Sequence, residues 1–322
     1  MNTIIKTSQL TKKFGNLTAV DSINLEIYKG ETLALLGPNG AGKTTFISML
    51  STLVKPTSGT ATLCDIDINI DPLSVRKKIG IVFQEPSTDD LLTARENLYL
   101  HSMLYGINKS EINGKIDEIM KIVGLYERKD DFVRTFSGGM RRRLEIARGL
   151  MHEPEVLFLD EPTLGLDPSS RKNIWQYIKY IKEKNKTTII LTTHYMEEAD
   201  LLSDRVAIID YGKIVALDSA LNLKNKLGRD VVILKGGISE EIKKLDFVID
   251  VENTQEGQKI TLKDINKNLK ELINKAGNFE EIEIRRVSLE DVFLKFTGHR
   301  IEEGKENNGI FENIARYKSI RK

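Results

Sequence analysis

Gly37-Pro38-Asn39-Gly40-Ala41-Gly42-Lys43-Thr44-Thr45 fits the pattern G-x-x-x-x-G-K-[ST], and its flanks are those the pattern requires. Before it, Thr32 to Leu36 is a short apolar run suited to a buried strand, and after it Thr45 to Leu50 continues in helix-compatible residues. Strand, glycine turn and helix in that order make an anion cradle. Glycines let successive backbone N–H groups turn onto one phosphate, and the helix N-terminus adds partial positive charge. Lys43 is placed to reach the outer phosphates, and the Thr44 hydroxyl suits Mg²⁺. A structural turn with a surface lysine needs none of these coincidences. The stretch predicts a nucleoside triphosphate held by Asn39, Gly40, Ala41, Gly42, Lys43, Thr44 and Thr45.

Bulk properties limit what surrounds this loop. A chain of 322 residues, 40% hydrophobic and 30% charged, has room for more than one globular domain. Its net charge of +1 leaves no electrostatic footprint for nucleic acid, so no nucleic-acid partner is expected. No apolar run approaches the roughly eighteen residues that span a bilayer, and the N-terminus lacks a charged start with a long apolar core. The expectation is a chain that neither crosses a membrane nor carries a secretion signal. A single cysteine, Cys64, cannot form an internal disulfide and suits a reducing compartment as a small buried hydrophobe.

The chain in order supplies further candidates. Ile4 to Ile27 alternates as an antiparallel strand pair around Gly15-Asn16, with Phe14 either a hairpin core residue or a ring for base stacking. Gly59 to Leu63 reads as another strand and Asp71-Pro72 as a short helix start. Ile79 to Phe83 is a buried strand ending at Gln84, and strand ends are where α/β sheets bind ligands. Ala94 to Val123 carries apolar residues at helical spacing, a mostly helical insertion. Ser137-Gly138-Gly139 opens a second glycine-rich helix, with Ser137 as N-cap; since the first loop already takes the triphosphate, this N-terminus must serve another phosphate or molecule. The following Arg141-Arg142-Arg143 reads as a solvated helix face.

Val156 to Leu159 is a continuous apolar run, hence a strand buried on both faces, and it ends in Asp160-Glu161. Two adjacent carboxylates at a strand end are costly without a task. Asp160 suits the Mg²⁺ shell, and Glu161 suits a base that orients or deprotonates water attacking the γ-phosphate. The turn Leu164 to Pro168 leads into a helix around Trp175. Thr188 to Leu191 is the next strand and ends at Thr192-Thr193-His194, which makes His194 a candidate by position; Val206 to Ile209 and Ile214 to Leu217 close as a hairpin.

This constellation resembles the ATPase subunit of an ATP-binding cassette transporter. The Walker A loop (Gly37 to Thr45), Gln84, the signature Phe136-Ser137-Gly138-Gly139-Met140, the Walker B strand with Asp160 and Glu161, the turn before Asp167 and His194 occur in that family's order. The likeness covers about residues 1–220, with a helical subdomain at about 90–150 and an antiparallel β subdomain on the P-loop core. It implies Mg²⁺-dependent ATP hydrolysis. Phe14 would stack on the base, Gln84 would sense Mg²⁺ and contact the membrane partner, and His194 would switch on the γ-phosphate. Ser137, Gly138 and Gly139 would bind the γ-phosphate held by a second copy, so two ATP would be sandwiched in a head-to-tail homodimer. The implied place is the cytoplasmic face of the membrane, beside separate permease subunits. Phe136 and Met140 depart from the commonest Leu and Gln, and Phe14 from Tyr. Ser-Gly-Gly-Met-Arg-Arg-Arg-Leu-Glu-Ile-Ala-Arg and the stretch Ser288 to Gly298 instead resemble the daunorubicin-resistance-like exporter branch, which implies export of drugs or lipophilic compounds. Related cassettes acting on ribosomes or DNA are the alternative. Ribosome-acting forms usually carry two cassettes, whereas this chain has one Walker A, and DNA-repair forms carry long coiled coils that sustained heptads would betray.

From about 221 to 300 the pattern changes. Strands Val231 to Leu234, Phe247 to Val251, Lys259 to Leu262 and Ile282 to Val287, with a short helix near Glu240 to Leu245 and a helix Ile265 to Ala276, give the order βαββαβ of a ferredoxin-like α+β unit. Ser288 and Asp291 predict a capping box for a last helix. By resemblance this accessory domain tunes or stabilises the dimer. The tail 301–322 reads as flexible, with Ile310, Phe311, Ile314 and Tyr317 able to form a short amphipathic helix.

Overall fold

The structure, a computed structural model, describes residues 2–227, 231–236, 240–254 and 257–298. They form two compact units, one running to Ser219 and the other starting at Ala220. In the first, β1 (Thr3–Phe14) and β2 (Leu17–Tyr28) pair antiparallel around Gly15, which takes a left-handed φ of 58°. The fully buried β3 (Thr32–Leu36) leads through the glycine loop into α1 (Lys43–Leu50). β4 (Ser58–Leu63) returns to β1 and β5 (Ile66–Asp67) pairs with β4, giving a sheet in the order β2-β1-β4-β5. α2 (Pro72–Lys78), capped by the Asp71 carboxylate on the Ser74 N–H, feeds β6 (Ile79–Val82).

The expected helical insertion is two helices, α3 (Ala94–Leu104) and α4 (Lys109–Ile122). The break falls between its two apolar runs, where Gly106 adopts a left-handed φ of 71° and Asn108 caps a new helix on the Ser110 N–H. Then follow α5 (Gly138–Leu150), β7 (Val156–Asp160), α6 (Pro168–Asn185), β8 (Thr188–Thr193), α7 (Met196–Leu202), β9 (Arg205–Asp210) and β10 (Lys213–Asp218). The sequence pattern did not anticipate α7, a short helix rich in carboxylates.

The second sheet has the order β10-β9-β3-β8-β7-β6, parallel except for β10. Register fixes what this sheet brings together. Leu36 stands opposite Thr193, Asp160 opposite Thr192, and Val82 opposite Leu159, so the carboxyl ends of four strands open on one edge. Leu33, Leu35, Phe158 and Ile190 pack between these strands and Phe46, Ile47 and Leu50 of α1 in one core cluster, which fixes the glycine loop over that edge. Cys64 packs against this core only half buried, and burial pushes its thiol up to about 11.

The second unit comprises α8 (Ala220–Leu227), β11 (Val231–Gly236), a 3-10 turn at Glu240–Lys244, β12 (Val248–Thr254), β13 (Gly257–Leu262), α9 (Ile265–Ala276), β14 (Phe279–Arg285) and α10 (Leu289–Thr297). Its antiparallel sheet has the order β12-β13-β11-β14, the ferredoxin-like arrangement with a 3-10 turn in place of the first helix. Val232, Leu234, Ile260, Leu262, Leu272 and Ala276 form its core, and the Ser288–Asp291 capping box is present. β14 starts three residues before the expected Ile282, because Phe279 pairs with Gly236. The tail 301–322, read as flexible with a short amphipathic helix as the alternative, lies outside the described residues.

One aromatic seam joins the helical arm to the parallel sheet. His101 of α3 stacks near Tyr105 (4.7 Å), Tyr105 lies flat on His152 (3.9 Å), and His152 Nε2 meets the Ile79 carbonyl at 2.8 Å. Burial, with the like charge of Arg148, pulls His101 from 6.5 to about 4. A histidine depressed in the folded state contributes stability that is complete above its unfolded value and is lost as pH falls through its folded one. The thermal midpoint should therefore drop between pH 6.5 and 4 less steeply in His101→Gln than in the parent chain; parallel profiles would exclude His101 as a titrating element.

Candidate active site

The glycine loop is built by close approach. Gly42 has φ 102°, and a Cβ on it would stand 2.2 Å from the Ala19 carbonyl, so the loop can pass under β2 only as glycine. Within it the Lys43 ammonium, 4% exposed, donates to the carbonyls of Gly37 (2.8 Å) and Pro38 (3.1 Å) and lies 3.4 Å from Glu161 Oε1. Burial pulls its pKa down, while Glu161 and Asp160 oppose that pull. Asn39 and Gly40 are exposed at the mouth of the loop, and Ala41 and Thr45 are buried behind it.

The strand ends complete the cluster. Thr44 Oγ1 donates to Asp160 Oδ1 at 3.1 Å, and the Thr192 hydroxyl donates to the same oxygen while accepting from the Glu161 N–H at 2.9 Å. Burial pushes the Asp160 carboxyl up against these two hydroxyls. Glu161 is also pushed up by burial, yet His194, with Nδ1 at 3.1 Å, and Lys43 more than offset it, so its pKa falls below the usual range. Glu161 holds a left-handed φ of 46°, rare for a residue with a side chain and a local strain concentrated at this turn. Lys43, Thr44, Asp160, Glu161 and His194 are thus one connected set of contacts.

The other sequence candidates stand outside it. Phe14, half buried at the end of β1, lies under the Lys12 ammonium at 5.0 Å. Gln84 is exposed just past β6. Ser137 and Gly138 are exposed at the start of α5, where the Ser137 hydroxyl accepts from the Met140 N–H at 3.3 Å; Gly139 is buried, and a Cβ there would come within 2.8 Å of the Ser170 hydroxyl.

Three residues escaped the sequence reading. Arg142, expected on a solvated face, is 8% exposed, and its guanidinium is ringed by backbone carbonyls. Thr192 bridges the two carboxylate residues. Glu198 of α7 is fully buried and accepts from Thr163 Oγ1 (2.8 Å) and Trp175 Nε1 (3.0 Å). The run Thr192-Thr193-His194 at a strand end was a signal for Thr192; for Arg142 and Glu198 only the tertiary contacts are.

Residues 20–164 match the family model described as ABC transporter, and residues 219–297 match that described as ATP-binding protein DrrA1-3-like, C-terminal domain. The linearmycin resistance ATP-binding protein LnrL of Bacillus subtilis (strain 168) is 38% identical over 312 residues, covering 93% of this chain and 100% of that protein. The chain belongs to the ABC transporter family. A second family member, the daunorubicin/doxorubicin resistance ATP-binding protein DrrA of Streptomyces peucetius, is 35% identical over 306 residues, 92% of each chain. Among solved structures, a dimeric post-hydrolysis state of the ATP-binding cassette MJ0796 bound to ADP and Pi aligns with a TM-score of 0.61 and 29% identity, over 67% of this chain and 98% of that one. Within the family this chain is an ATP-binding, ATP-hydrolysing transporter subunit, with the α/β P-loop fold expected from Gly37 to Thr45. No helix of the described residues is long and apolar enough to cross a membrane.

Gly42→Ala should lower stability by about 1–3 kcal/mol through overpacking and weaken ATP binding by roughly tenfold or more. Gly114→Ala, mid-helix in α4 with open space around it, should be neutral or stabilising by up to about 1 kcal/mol. Chemical denaturation and nucleotide titration check both, and equal behaviour of the two variants would contradict the loop geometry.

Proposed function

We propose that the chain binds Mg²⁺ and ATP at the Lys43–Asp160–Glu161 cluster and hydrolyses ATP within a head-to-tail homodimer, driving a separate membrane permease that exports lipophilic compounds. The observation that carries this reading is the contact chain from Lys43 through Glu161 to His194 at one sheet edge. The residues fit the metal: Thr44 Oγ1 and Asp160 Oδ1 are hard oxygen donors already in contact, and the carboxyl that burial penalises is the one a cation would relieve. Mg²⁺ held by Thr44, Asp160 and Gln84 would neutralise charge on the phosphate oxygens.

In the reaction phosphate oxygens would take the place of the Gly37 and Pro38 carbonyls on Lys43, and Glu161, held by His194, would act as the base for water. His194, already on Glu161 Oε2, orients it and is placed to meet the γ-phosphate. The base stacks on Phe14. Ser137 and Gly138, open to solvent, and Gly139 complete the γ-phosphate site of the second copy, the anion role that a helix N-terminus suits.

Permease docking is supported by Leu91, Leu100, Met103 and Leu104, all exposed. Leu91 follows the Gln84 loop, and α3, which carries the other three, is tied to that loop by two hydrogen bonds between Asp89 and Asn97. Export follows from the resistance relatives and from the match over the second unit, which we assign as an accessory domain from about residue 221, after a nucleotide-binding domain ending near 220. The protein works on the cytoplasmic face of the membrane.

Glu161→Gln should keep ATP binding, lose hydrolysis by roughly a hundredfold or more and accumulate as a dimer with ATP; hydrolysis at the parent rate would remove Glu161 as the base. Lys43→Ala should show no ATP-dependent dimer by light scattering, and a dimer there would contradict the phosphate role of Lys43.

A further inference from the structure

Two buried charges stand one turn apart on α5, the helix that Ser137 opens. Arg142 donates through Nε to the Pro162 carbonyl (2.7 Å), through Nη2 to those of Asp160 (2.8 Å) and Glu161 (3.1 Å), and through Nη1 to that of Phe83. Glu145, 1% exposed, accepts from the N–H groups of Ser87 and Thr88 (both 2.7 Å) and from the Ser87 hydroxyl (3.1 Å), with Arg148 closing the pocket at 3.0 Å. Arg142 therefore grips the residue before Gln84, and Glu145 the residues three and four positions after it.

Three successive carbonyls, 160 to 162, converge on one guanidinium. That convergence requires the turn at Glu161, the residue whose φ of 46° is unfavourable for a side chain. The strain is offset by charge-assisted bonds from a rigid planar donor whose own burial is costly. An anchor needed only to hold a helix could be apolar; this one is aimed at the backbone that carries the catalytic carboxylate. At the far end of α5, Gly80 and Gly149 allow backbone contact with β6, a Cβ on Gly80 standing 2.1 Å from the Gly149 carbonyl, so the helix lies close enough for both side chains to reach.

We propose that Arg142 and Glu145 are positioning residues that tie α5 to the Glu161 turn and to both flanks of Gln84, so that a displacement at the Ser137 end reaches the base and the permease-facing loop together. This rests on the reading of Glu161 as the base. A nucleotide held by the second copy then acts through α5 on the first copy's chemistry without a contact between Ser137 and Glu161.

The test uses the full chain with Arg142→Met, Arg142→Lys and Glu145→Gln, measuring thermal midpoint, ATP affinity by titration, and kcat and KM separately. Arg142→Met should lower kcat about tenfold or more with ATP affinity within about twofold, since the bonds it removes set geometry and do not touch the nucleotide. Arg142→Lys restores the charge without the fork and should recover only part of that loss. Glu145→Gln keeps one acceptor and should lower kcat by about threefold or more. If Arg142→Met does not fold, Arg142→Lys decides. A folded Arg142→Lys or Glu145→Gln protein with the parent kcat, or a loss confined to KM, overturns the proposal for that residue. Glu161→Gln run alongside separates the readings: if it hydrolyses ATP normally the base assignment fails, whereas if it is inactive while Arg142→Lys is fully active only the positioning role fails.

Discussion

A lysine ammonium that is 4% exposed has to be surrounded by oxygen, and the arrangement of this chain follows from that requirement. Two of the oxygens come from the loop that carries Lys43, and the third from Glu161, at the end of a different strand. They meet because β3, β8 and β7 are parallel and in a register that sets Leu36 beside Thr193 and Asp160 beside Thr192. Phosphate can take the place of the loop carbonyls at little cost in desolvation, since the ammonium is already out of water. In the proposed reaction phosphate oxygens replace the two loop carbonyls, and Glu161 is the carboxylate left for the chemistry.

Much of this was legible in the residues. Gly37 to Thr45 identifies itself because its function is local: the glycines, the lysine and the helix start lie within nine positions, and each is needed for a stated reason. Asp160, Glu161 and His194 could be found by asking what polar groups follow buried strands. The ferredoxin-like order of the second unit came from alternating periodicity, and the Ser288–Asp291 box from a four-residue pattern. Gly106 and Asn108 carry the break between α3 and α4, in the gap between the apolar runs Leu98 to Leu104 and Ile112 to Val123.

What stayed hidden depends on contacts distant in sequence. Arg141-Arg142-Arg143 has the composition of a solvated face, yet Arg142 is buried, Arg141 pairs with Asp90 and Arg143 reaches the Val123 carbonyl. No local pattern distinguishes a guanidinium aimed at water from one aimed at four carbonyls up to 59 residues away. Glu198 was missed for the same reason, since its partners Thr163 and Trp175 lie on segments that only the folded sheet brings to α7. These buried charges connect the nucleotide cluster to its surroundings, so the part of the mechanism least visible in sequence is the part that transmits rather than performs the chemistry.

The central claim is that the cluster at Lys43 is half of a site, completed by Ser137 to Gly139 of a second copy. The most direct measurement mixes two inactive proteins, Lys43→Ala and Ser137→Arg, in equal amounts and follows ATP hydrolysis. A head-to-tail pair of the two contains one intact site, with the loop of the Ser137→Arg copy and the signature of the Lys43→Ala copy. Mixed pairs form through their one intact site, so activity should recover to at most about a quarter of the parent rate, the share of intact sites at random pairing. A mixture as inactive as either protein alone, while parent chains treated in the same way remain active, would contradict it.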